Sequence, residues 1–186
     1  GEMAGEHGVW WKNGWYEACT RVPLIISTPE QRYGRWGNQS ARTERSNHAK
    51  TPVSLLDLFP TFCSLASIDE SDLPDDLDGR DLTPALSGAT LEDSPVFCDA
   101  LEPRWGDGTE FRMIRLGDYK YVRFRDAEPL FFDLKNDPGE QRNLLRRPGE
   151  CSGEAGRRAE EMARIADESI DFDGVEKTRK RNVKIL

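Results

Sequence analysis

The residues best suited to chemistry stand within the first 23 positions. Lys12 follows Trp10 and Trp11, His7 lies in Gly5-Glu6-His7-Gly8, and Glu17 and Arg21 precede Val22-Pro23. A lysine ammonium beside aromatic surface offers a partly desolvated cation to an anion such as sulfate or phosphate. The same residue also reads as a surface lysine whose stem covers the tryptophans. His7 is of the residue type that most often donates a proton to a leaving group; the alternative is a loop histidine that shapes the turn between two glycines. Glu17 and Arg21 are read as a supporting ion pair that positions the loop, not as chemistry. A stretch this dense in Gly, Trp and charge, placed before an apolar run, fits the active-site loops that gather beside core strands in α/β folds.

The elements that would position these residues follow from hydrophobic patterning. Val22 to Ser27 is short, apolar and β-branched, and predicts a buried strand. The polar stretch from Pro29 to Lys50, which contains His48, predicts a long loop, either a lid or a connector. Val53, Leu56, Phe59, Phe62, Cys63 and Ala66 recur at helical spacing, with a kink expected at Pro60. The acidic segment from Asp69 to Asp81 fails as a calcium loop, because Pro74 stands where a ligand oxygen is needed. A short helix is expected around Leu82 to Leu86, ending at Gly88.

From Ser94 the pattern changes to short strands: Val96 to Leu101, Phe111 to Leu116, Tyr119 to Phe124 and Leu130 to Leu134. Gly117-Asp118 is a two-residue link between the middle pair and predicts an antiparallel hairpin. Ala155, Ala159, Met162, Ala166 and Ile170 form one apolar stripe behind Ser152, a candidate N-cap, and that helix can cover the sheet. The basic run from Lys177 to Lys184 reads as a solvated, frayed tail.

Composition narrows the function classes. The chain has 186 residues and a net charge of −8, which disfavours a polyphosphate partner, so no nucleic acid is expected. No apolar run approaches the roughly 20 residues that cross a bilayer, so no membrane partner is expected either. Cys19, Cys63, Cys98 and Cys151 are widely spaced and read as free thiols; the compartment reads as cytoplasmic or periplasmic.

The motif order adds a family. Gly5-Glu6-His7-Gly8, Trp10-Trp11-Lys12, Tyr16-Glu17 and Arg21-Val22-Pro23-Leu24 resemble the sulfatases of the alkaline phosphatase superfamily. The likeness continues through Val53 to Thr61, Leu77 to Pro84, Met113-Ile114-Arg115 with Tyr119-Lys120-Tyr121, and Phe132 to Leu144. It implies an α/β fold: the C-terminal portion of an alkaline-phosphatase-like mixed sheet with helices. The small four-stranded antiparallel sheet packed on a C-terminal helix follows it as an α+β subdomain. The corresponding division is 1–92, 93–172 and a tail over 173–186. The resemblance further implies a hydrolase of sulfate monoesters, acting on a small-molecule or carbohydrate sulfate ester. Its cofactors would be a calcium ion, with ligands expected upstream of Gly1, and a formylglycine nucleophile made from Cys or Ser. No metal ligand is assigned within the chain.

The nucleophile motif, Cys/Ser-x-Pro/Ala-x-Arg, is absent: Cys98-Asp99-Ala100-Leu101-Glu102 carries Glu in place of Arg. The expectation is therefore a C-terminal fragment of a sulfatase, inactive alone. By the same resemblance Lys12 is the catalytic and substrate-binding cation, His7 a catalytic candidate, and Glu17 and Arg21 are supporting residues. The alternatives are a phosphate or phosphonate monoester hydrolase of the same superfamily, and a non-catalytic binding module.

Overall fold

The computed structural model describes residues 2–12, 14–28, 49–102, 104–146, 149 and 151–183. The expected loop with His48 lies outside them, apart from residues 49 and 50. Helices run over Glu17–Thr20 (α1), Leu58–Leu65 (α2), Thr83–Leu86 (α3), Gly153–Ser169 (α4) and Phe172–Val183 (α5). Strands run over Val96–Ala100 (β1), Phe111–Leu116 (β2), Tyr119–Phe124 (β3) and Leu130–Asp133 (β4). Two compact units result: Gly1–Val22 with Ser94–Leu186, and Pro23–Asp93.

In the first unit the strands form one antiparallel sheet in the order β1-β2-β3-β4. Leu116 pairs with Tyr119 across the predicted two-residue link, and Gly117 takes the positive φ, 55°, that the tight turn demands. Alternation along the strands divides their side chains between two faces. Ile114, Leu116, Tyr121 and Phe131 pack against Ala159, Met162 and Ala166 of α4, the stripe expected from the sequence. Ser152 does stand at the N-cap position of α4, but its hydroxyl donates to the Gly149 carbonyl and caps nothing.

Phe111, Met113, Val122 and Phe124 make the opposite face, and Trp15 covers it. The Trp15 ring meets Phe111 and Phe124 edge-on, with centroids 5.3 and 5.0 Å away. The first 22 residues therefore pack with the sheet that follows residue 93. The basic terminus also differs from expectation. Through residue 183 it continues as α5, because Asp173 and Glu176 in its first turns pair with Arg125 at the end of β3; Lys184 lies outside the described residues.

The second unit holds α2 and α3. Its organising group is the buried Asp57 carboxylate, which accepts from the Ser54 amide at 2.8 Å and the Arg80 amide at 2.9 Å. Thr61 extends the link, donating to the Asp57 carbonyl and accepting from the Leu82 amide at 2.9 Å. Pro60 produces no interruption: it occupies the third position of α2, where the missing N–H has no partner in the helix to lose. The predicted strand over Val22–Ser27 is absent. Residues 21–28 carry no strand pairing, and Val22, Leu24 and Ile25 are exposed. An apolar β-branched run becomes a strand only beside a neighbour that takes its hydrogen bonds. Leu55, Phe59, Phe62 and Leu65 likewise present apolar surface along one side of α2 and the turn before it.

Candidate functional site

The candidate residues sit on a loop that folds back on itself. Met3 donates to the Trp11 carbonyl at 3.1 Å and Gly5 to that of Val9 at 3.0 Å, so Gly5-Glu6-His7-Gly8 closes as a tight turn. Gly5, His7 and Trp11 all have positive φ, a conformation natural only for the glycine. Met3 is fully buried beneath this turn. The His7 ring stacks on Tyr16 at 3.8 Å and nearly parallel. That contact makes His7 a packing partner of the loop, in line with its turn-shaping alternative. No hydrogen bond, ion pair or ring contact joins it to Lys12 among the described residues.

What fixes the loop is a buried ion cluster. Lys120 stands on the same strand face as Val122 and Phe124, wholly buried, and its ammonium reaches Glu140 at 2.7 Å, Glu17 at 2.8 Å and the Trp15 carbonyl at 2.8 Å. Three donors thus meet three acceptors. The second Glu140 oxygen accepts from the Glu17 amide at 2.7 Å, at the start of α1. Glu140 is itself held with φ of 53° in the turn after Asp137-Pro138-Gly139. Glu17 therefore does support the loop, but through Lys120; the expected ion pair with Arg21 does not form, because that carboxylate is already engaged in the buried cluster. Burial, and then the Glu140 charge, push the Tyr16 phenol above its ordinary value, so Tyr16 stays neutral.

Lys12 leaves this anchored region at the mouth of a cleft of about 320 Å³, shared with Asp99, Leu101, Glu102, Arg104 and Phe111. Its side chain is 72% exposed, and its ion contact is a loose one to Glu2 at 3.8 Å. Cys98 lies along the same cleft, and burial pushes its thiol up, so it is a poor nucleophile. Among the described residues no three of His, Cys, Asp and Glu gather into a possible metal site. The sequence analysis missed Lys120 and Glu140 as the anchors. The available signal was a lysine at a position whose strand neighbours two and four residues on are Val122 and Phe124.

The family description "N-sulphoglucosamine sulphohydrolase, C-terminal" matches residues 5–152. The chain belongs to this sulphohydrolase family. Arylsulfatase K of Xenopus laevis is 28% identical over 94% of this chain and 30% of its own length. Choline-sulfatase of Rhizobium meliloti is 32% identical over 80% of the chain and 26% of its own length. The chain thus spans less than a third of these relatives. Among solved structures, one in complex with its substrate D-glucosamine-2-N,6-O-disulfate has a TM-score of 0.62 and 26% identity, covering 91% of this chain and 33% of that one. The phosphonate monoester hydrolase of Agrobacterium radiobacter has a TM-score of 0.64 and 25% identity, covering 91% and 34%. The sulfatase resemblance read from the motifs is the relationship these matches show.

Proposed function

We propose that this chain is the C-terminal portion of an enzyme that hydrolyses a sulfate monoester of a small molecule or carbohydrate, and that Lys12 is its contribution to the chemistry. The observation that carries the reading is the placement of Lys12. An exposed cation stands at the lip of a cleft, on a loop tied to the sheet by the buried Lys120, Glu17 and Glu140 cluster. When the S–O bond of a sulfate ester breaks, negative charge grows on the departing oxygen. An ammonium brought against that oxygen, once bound substrate displaces the water around it, stabilises the transition state more than the ground state, an effect worth about 3 kcal/mol. His7, packed on Tyr16, holds the turn and takes no proton in this reading.

Calcium and a formylglycine nucleophile go with the sulfatase reading. The described residues do not fit either group: no carboxylate cluster is present for calcium, and Cys98 lacks the arginine its motif needs. No step is assigned to them within this chain. The likeness to a phosphonate monoester hydrolase supports a second reading, in which the same cation serves a phosphonate ester.

The test is Lys12→Ala in a full-length enzyme carrying this segment. Turnover of 4-nitrophenyl sulfate should fall about a hundredfold or more. Turnover within threefold of the parent removes Lys12 from the reaction, and faster turnover of a phenylphosphonate ester than of the sulfate favours the second reading.

A further inference from the structure

The cleft beside Lys12 carries two acids and two bases, and their engagements differ. Asp99 is held by Arg112 through two parallel bonds, Nε to Oδ1 at 2.9 Å and Nη2 to Oδ2 at 2.6 Å. Such a fork commits both carboxylate oxygens. Glu102 lies 3.5 Å from Arg179 of α5. Each acid of the cleft is thus neutralised by an arginine from outside its lining. The bases are not matched in this way. Lys12 has only the loose contact with Glu2, and Arg104, exposed at the cleft, makes no ion pair among the described residues. Among the described residues the cleft therefore presents one cation without an ion pair, Arg104, beside a loosely paired one, Lys12, and its volume of about 320 Å³ lies in the range of small-molecule sites.

We infer that Arg104 sets substrate selectivity: it binds a second anionic group, a second sulfate, on the alcohol side of an ester whose reacting sulfate lies at Lys12. This inference rests on the reading of Lys12 given above. A guanidinium is always charged and matches two oxygens of a sulfate at once, which a lysine does not. An ester whose alcohol bears a quaternary ammonium meets like charge at the same place and is disfavoured.

The experiment is equilibrium binding by calorimetry, with the full 186-residue chain and three probes: a glucosamine carrying two sulfates, 4-nitrophenyl sulfate and choline sulfate. The parent should bind the disulfated sugar about tenfold more tightly than 4-nitrophenyl sulfate, and choline sulfate least. In Arg104→Gln the preference should shrink to about twofold or less, with affinity for 4-nitrophenyl sulfate unchanged. Arg104→Lys should fall between, keeping charge but losing the fork. Because Arg104 is exposed and makes no ion pair among the described residues, an unaltered melting temperature should accompany both variants. A preference that survives Arg104→Gln overturns the inference, as does a parent that shows no preference or binds none of the probes. Failure of the Lys12 reading shows separately, as hydrolysis by the full-length enzyme that persists in Lys12→Ala.

Discussion

Replacing Lys120 by Met tests the anchoring of the loop most directly. Met keeps the length and apolar stem of the lysine, so little cavity forms. The ammonium is lost, and with it bonds at 2.7 Å to Glu140, 2.8 Å to Glu17 and 2.8 Å to the Trp15 carbonyl. Glu140 keeps only 2% of its side chain in water, so its carboxylate is left buried without a counter-charge. Breaking a buried pair in this way costs about 3–5 kcal/mol. With a urea dependence of about 2 kcal/mol per molar, the unfolding midpoint should fall by about 2 M. Amide exchange at Glu17, whose N–H bonds to Glu140, should accelerate along with that of β3. Adding Glu140→Gln to Lys120→Met removes the stranded charge and should recover more than about 1 kcal/mol of the loss. Lys12→Met, at an exposed and loosely paired site, serves as control and should cost less than about 1 kcal/mol. If Lys120→Met costs no more than this control, the buried cluster does not hold the loop.

Two further outcomes are expected. A Cβ at Gly79 would lie 2.2 Å from the Leu56 carbonyl oxygen, a backbone atom with no freedom to swing aside, so Gly79→Ala should lower the stability of the second unit by about 1–3 kcal/mol. A melting temperature unchanged by that substitution would refute the close approach. Glu176, bonded to Lys180 and Arg125, is held down at about 2 against an ordinary 4.5. Its folded-state value is depressed, so its contribution to α5 is complete above about 4.5 and disappears as the pH falls from there through about 2. A carbon-detected titration of the Glu176 carboxyl with a midpoint above 4 would contradict this.

Those parts of the fold whose cause is local were legible in the sequence. β2, β3 and their hairpin follow from aromatic and branched residues on either side of Gly117-Asp118, and α4 follows from its stripe. What depends on distant partners was not legible. Trp15 and Lys120 lie 105 positions apart in the chain, and no periodicity announces that the one covers the sheet face on which the other is buried. Val22–Ser27 shows the converse: its composition suits a strand, but composition cannot supply the neighbour that completes one. At the site, spacing grouped Lys12 with Glu17, whereas their destinations diverge, one to the cleft and one to a buried lysine. Arg104 carried no signal, because a lone arginine in a polar turn looks like any other.

The first unit is assembled from two separate stretches of chain, with residues 23–93 intervening. A protease that nicks the intervening part would therefore not release the leading peptide, since a tryptophan wedge and a desolvated ammonium continue to grip it. The same two stretches, expressed as separate polypeptides and mixed, should complement one another into a single particle.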